Sequence, residues 1–135
     1  MYTFTNYDDV RVFVAGKLGI DTWEGAYEYY PFSKGDPTKG FLEIIYPEAD
    51  SSGRLLRGAA GNGPIFIFLY FSGRWTYLGE MYGAKVETDT TTDTTEFVVY
   101  AHVSATQGVE RRYQFRTSEY VCVSEVDVGM GNDHQ

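Results

Sequence analysis

The sequence predicts an α+β domain: one or two N-terminal helices packed on a curled, mainly antiparallel β-sheet of about six or seven strands. A half-open barrel is the preferred form of that sheet and a sandwich the alternative. Three observations lead there. Apolar residues follow helical spacing before residue 40 and period-two alternation after it. The run Pro64-Ile65-Phe66-Ile67-Phe68-Leu69-Tyr70-Phe71 is apolar on both faces, as a strand in the middle of a sheet must be. The strand-like segments that follow are joined by links too short for anything but antiparallel pairing.

Thr5 or Asn6 is placed to cap a first helix, with Asp8 and Asp9 in its first turn, where acids complement the helix dipole. Val10, Phe13, Val14, Lys17 and Leu18 follow at helical spacing, and Gly19 is a stop. The valines leave a strand over Val10–Val14 as the competing reading. A second helix is expected from Asp21 or Thr22, because Trp23, Ala26, Tyr27 and Tyr30 share one helical face and Pro31 ends the pattern. Residues 1–31 are thus the expected helical part.

Ser33 to Gly40 reads as a loop, and 41–128 as the sheet part. Phe41–Tyr46 is a strand closed by Pro47, and Arg54–Arg57 a short strand. Gly58-Ala59-Ala60-Gly61-Asn62-Gly63 is a flexible connection. After Pro64–Phe71, the break Ser72-Gly73-Arg74 marks a hairpin. The partner strand, Trp75–Glu87, carries Gly79 and Gly83, which signal a bulge, a bend or the close approach of another backbone. Thr88–Thr95 is a polar loop. Glu96–Ser104, Val109–Thr117 and Glu119–Val128 are strands, and 129–135 is expected to be a frayed tail. At 135 residues the whole chain, 1–135, suits one domain with its own core.

A net charge of −8 argues against nucleic acid and anionic membranes as partners. No signal peptide or membrane-spanning run is evident, so the default location is intracellular, in the cytoplasm. The lone Cys122 permits no internal disulfide and reads as a small buried hydrophobe. No histidine pair or cysteine cluster suggests a metal, and no cofactor is expected. The acids Asp50, Asp89 and Asp93 lie in loops and read as solvated, and His134 beside Asp133 reads as a feature of the tail. The glycine-rich loop 58–64 precedes a strand and lacks the lysine and spacing of a phosphate cradle. The run Gly73–Glu80 resembles strands of several small β-barrel domains, some of which read modified bases. Eight residues transfer no function, and no family is assigned on them.

Two candidate sites remain. Tyrosines number 12 and aromatics make up 17% of the chain, enough to wall a binding surface. Trp75, Tyr77, Met81 and Lys85 lie on one strand face, Tyr77 and Met81 flank the missing side chain of Gly79, and Tyr70, Tyr100 and Tyr46 are placed to extend that wall. The expected function is therefore a non-enzymatic binding domain whose aromatic-lined concave face takes a small ligand or a protein partner. The enzymatic alternative is a small hydrolase or nuclease that uses His102, Arg112 and Glu110, with Glu96 as the orienting acid. A third reading is an assembly protein, such as a homodimer, with tyrosines at its interface.

Overall fold

The computed structural model describes residues 2–58 and 60–129. It contains β1 (Thr3–Phe4), α1 (Tyr7–Leu18), β2 (Trp23–Ser33), β3 (Asp36–Asp50), β4 (Gly63–Phe71) and β5 (Arg74–Gly83). These are followed by β6 (Lys85–Asp89), β7 (Glu96–His102), β8 (Gln107–Arg116) and β9 (Glu119–Gly129). The strands form two antiparallel sheets, ordered β1-β5-β4-β3-β2 and β6-β7-β8-β9. The α+β class and the antiparallel pairing match the expectation. The single curled sheet of six or seven strands does not: there are two sheets, and they are not closed into a barrel. One helix accompanies them, within the one or two expected.

The helix forms as its signals dictate. Asn6 is the N-cap and accepts from the Asp8 N–H at 2.8 Å, while Gly19 closes the last turn at φ 71°. Val10, Val14 and Ala15 are buried against the outer face of the five-stranded sheet.

The second expected helix, over Asp21–Pro31, is corrected to strand β2. The segment is rich in aromatics, which favour a pleated surface, and Gly25 would weaken a helix. Alternate residues Trp23, Tyr27 and Tyr29 face the helix side, and Tyr30 and Phe32 pack toward the other sheet. Long antiparallel pairing with β3, from Trp23↔Asp50 to Ser33↔Asp36, fixes the choice. The expected loop 33–40 shrinks to a turn at Lys34-Gly35. Pro31 sits on an edge strand, where its missing N–H costs no ladder bond. Strand β3 does not stop at Pro47 either. It runs to Asp50 past a bulge where Gly25 meets Pro47, and a Cβ on Gly25 would lie 2.1 Å from the Tyr46 carbonyl oxygen.

The five-stranded sheet is the middle layer. One face meets α1 through Trp23, Ile45, Phe66 and Phe68. The other meets the four-stranded sheet through Leu42, Ile44, Ile65 and Ile67, packed on Phe97, Val99, Tyr113 and Tyr120. Strand β4 is therefore buried on both sides, as its sequence requires. The turn at Ser72-Gly73 has positive φ at both residues, the type I′ pattern that suits strand twist.

Gly79 and Gly83 bring the sheets together. At Gly79 the ladder slips against Ile67/Phe68, and φ is 127°. The slip reverses the facing of β5: Trp75 and Tyr77 look toward the helix, whereas Leu78 and Met81 join the core between the sheets. A Cβ at Gly79 would lie 3.1 Å from the Tyr120 carbonyl oxygen, so the space beside this glycine holds the β9 backbone. At Gly83 a Cβ would stand 2.4 Å from Val99 Cγ1 and 2.8 Å from the Tyr100 carbonyl oxygen. The chain then crosses from one sheet to the other through Ala84, whose N–H donates to Tyr100 O at 2.7 Å.

The glycine-rich segment 58–64, of which residue 59 lies outside the described residues, is held at several points. Arg57 donates to the carbonyl oxygens of Gly61, Pro64 and Gly83, and Asn62 bonds both backbone groups of His102. Cys122 is exposed rather than buried, on the edge strand β9 beside the β8–β9 register shift. Of the expected tail, Gly129 ends β9, and 130–135 lie outside the described residues. No helix among the described residues is long and apolar enough to cross a membrane.

Two glycine substitutions separate these roles. Gly83→Ala forces a methyl group into Val99 and the Tyr100 backbone, and should cost about 1–3 kcal/mol. Gly16→Ala, on the exposed side of α1 with nothing within 4 Å of its Cβ, should add about 0.5–1 kcal/mol. Urea unfolding monitored by circular dichroism measures both.

Candidate functional site

A cleft of about 450 Å³ opens on the helix side of the middle sheet, past the N-terminal end of α1. It is lined by Tyr7, Tyr29, Phe41, Glu43, Tyr70 and Trp75. Strand pairing explains the grouping. Glu43 lies opposite Tyr29 on β2, Phe41 lies opposite Tyr70 on β4, and Tyr70 lies opposite Trp75 on β5. Two adjacent rows, Tyr29–Glu43 and Phe41–Tyr70–Trp75, thus span four strands, and Tyr7 from the first turn of the helix leans over them. The Tyr70 and Trp75 ring centroids are 4.7 Å apart, and Tyr7 meets Trp75 edge-on at 5.3 Å. The outer rings are open: Tyr29 is 64% exposed, Phe41 44% and Tyr70 40%.

Glu43 is 1% exposed. Its neighbours along the strand, Leu42 and Ile44, point into the core between the sheets. Alternation therefore places Glu43 under the helix, where an apolar residue would be expected. Its Oε2 accepts from the Tyr7 hydroxyl at 2.5 Å and from the Tyr29 hydroxyl at 3.2 Å. The Trp75 indole is near but makes no well-formed hydrogen bond. Oε1 has no partner among the described residues. Glu43 also makes none of the described ion pairs. Burial pushes its carboxyl pKa up, and the hydroxyls of Tyr7 and Tyr29 and the Trp75 indole pull it back without cancelling the rise. Burial, then the hydrogen bond to Glu43, raises the Tyr7 hydroxyl far above its usual range. Burial, then the charge on Glu43, raises the Tyr29 hydroxyl as well. Both phenols therefore stay protonated and keep their protons directed at the carboxylate.

Of the ligand-binding residues expected from sequence, Trp75 and Tyr70 line this cleft. Tyr77 faces the same side of the sheet but packs on Phe13 and Phe68 beneath the helix. Gly79 lies at the slip in β5, against β9. Tyr100 stands on the outer face of the four-stranded sheet, so the five residues do not share one surface. Tyr7, Tyr29, Phe41 and Glu43 escaped the sequence reading. The available signal was the lone acid in Phe41-Leu42-Glu43-Ile44-Ile45, a charge in an otherwise apolar strand.

His102, Glu110 and Arg112 occupy the outer face of the four-stranded sheet. Arg112 donates to Asp89 at 2.8 Å and to Glu96 at 3.0 Å. Hydrogen bonds from Thr91 and then the Arg112 guanidinium hold the Asp89 carboxyl down at about 2. Glu110 pairs across the ladder with Tyr100, and His102 with Gly108. The described hydrogen bonds of His102 run through its backbone, to Asn62. Arg112 and Glu96 thus meet, while His102 and Glu110 have other cross-strand neighbours. No group of three or more metal-ligating side chains occurs among the described residues.

The cleft predicts a pH signature. A carboxyl whose folded pKa exceeds its unfolded value stabilises the fold below the unfolded pKa, and that contribution is lost as pH rises through the folded pKa. For Glu43 the decline begins at about pH 4, the ordinary value for glutamate. Glu43→Gln should match the parent near that pH and become more stable than it as pH rises, until the folded pKa is passed and the difference levels off, as measured by urea midpoints across the range. In comparisons with known proteins, no family model, no curated protein and no solved structure matches this chain.

Proposed function

We propose that this chain is a non-enzymatic binding domain that takes a small ligand in the Tyr7–Trp75 cleft. The observation that carries the reading is the buried, half-satisfied Glu43 at the base of open aromatic walls. An unsatisfied buried oxygen costs about 1–3 kcal/mol, and a strand selected only for stability would carry an apolar residue there. The cleft has the size and composition of a small-molecule site, apolar and aromatic with a few convergent polar groups. Rings exposed at its mouth offer contact area at low entropic cost. The outer face of the four-stranded sheet supports a hydrolytic reading less well, because Arg112 is engaged by two carboxylates.

Nuclear magnetic resonance with a fragment library tests the proposal. Shift changes should cluster on Tyr7, Tyr29, Phe41, Glu43, Tyr70 and Trp75. Trp75 fluorescence should respond, while the buried Trp23 stays silent. Phe41→Ala with Tyr70→Ala should weaken the best fragment about tenfold, a loss of about 1.4 kcal/mol. Each single change should alter stability by no more than about 1 kcal/mol, since both rings are already partly exposed. Shifts centred on His102 and Glu110 would move the site to the other sheet. Ligand-free shifts at Phe41 and Tyr70 that depend on protein concentration would identify the patch as a self-association surface.

A further inference from the structure

The cleft presents an unusual set of polar groups. Tyr7 and Tyr29 direct their protons at Glu43 Oε2, so toward a ligand they offer only oxygen lone pairs. Glu43 adds Oε1, which is unpartnered and buried, so a ligand reaches it only once a side chain of the wall moves. Around these acceptors stand the rings of Phe41, Tyr70 and Trp75, whose faces are negative, and the Trp75 indole lies near Glu43. The described cation–ring contacts lie on other rings: Arg11 on Trp23, Lys17 on Phe13 and Tyr77, Arg57 on Tyr46, and Lys85 on Tyr100. Lone pairs and rings around a buried carboxylate complement a positive charge and disfavour an anion.

Resting on the cleft as the binding site, we infer that its ligand is a small organic ammonium that carries alkyl groups and at least one N–H. The N–H supplies the donor that Oε1 lacks and makes a charge-assisted hydrogen bond. The alkyl groups lie against the rings of Trp75, Tyr70 and Phe41. A quaternary ammonium satisfies the rings and the charge but not the oxygen, and a bare ammonium ion leaves the rings unused. Tyr29, the most exposed ring of the set and the one with the longer bond to Glu43, is the side chain placed to swing aside as the ligand enters.

Three probes of one shape separate these terms in a resonance titration of the full chain at neutral pH. N,N-dimethylethanolamine, protonated there, carries charge and one N–H. Choline carries charge and no N–H. 3,3-Dimethylbutan-1-ol carries neither. Affinity should fall in that order, with about tenfold or more between the first and the last. Glu43→Gln should remove most of the preference and leave the alcohol unchanged, and its amide spectrum checks that it folds. The comparison of probes on the unaltered protein stands without the variant. Equal binding of the alcohol and the amine at the cleft would overturn the ammonium inference and leave the cleft as a binding site. Choline binding as tightly as the amine would overturn the hydrogen bond to Glu43. No response at the cleft to any probe, alongside fragments that bind there, would overturn the inference alone, and no response to probes or fragments would overturn both.

Discussion

Burial of the β3–β4 pair on both faces is the constraint on which the rest of the structure depends. A strand between two layers has no solvent side, so every residue over its paired length must suit a core. Ile65, Phe66, Ile67 and Phe68 meet that demand without interruption. Their even and odd members then need separate partners. Helix α1 supplies one set, and the four-stranded sheet supplies the other. The layered order follows from four consecutive apolar residues, because neither cover alone would bury both faces.

Two covers on one sheet require close approach at the crossing. Strand β5 and strand β6 are one run of chain with Ala84 between them, and the turn from one sheet to the other happens where side chains are absent. Gly83 lets the chain lie against Val99 and Tyr100, and Gly79 admits the backbone of Tyr120. The slip at Gly79 also sends Trp75 to the helix side while Met81 stays inside. Had β5 kept strict alternation through this point, Trp75 and Met81 would share a face, and the cleft would lose one of its walls.

The parts of the fold legible in the sequence are those where local preference and tertiary packing agree. The helix caps at Asn6 and Gly19, the double-faced strand β4, the Ser72-Gly73 turn and the three C-terminal strands all follow from short-range patterns. Strand β2 was not legible, because Trp23, Ala26, Tyr27 and Tyr30 satisfy helical spacing by coincidence. What overrides that spacing is pairing with β3, a contact between segments the pattern treats separately. The site was half legible for the same reason. Trp75 and Tyr70 stand near each other across a hairpin that the sequence announces. Tyr7, Tyr29 and Glu43 reach them only through the order of strands in the sheet.

Glu43 is the one described residue that breaks the central constraint with a charge. Conversion to an apolar side chain would remove a raised pKa, an unpartnered oxygen and two tyrosine hydrogen bonds, and the middle sheet would be apolar on its helix face from Phe41 to Ile45. The surroundings do not relieve the charge as a purely structural site would. No arginine or lysine is paired with it, although Arg11 and Lys17 lie on the same helix as Tyr7 and stack on rings nearby. Two phenols instead hold one oxygen in place and leave the other without a donor. A buried acid arranged this way keeps its geometry fixed and its charge uncompensated, and it gains most from a positive donor that arrives from outside the chain.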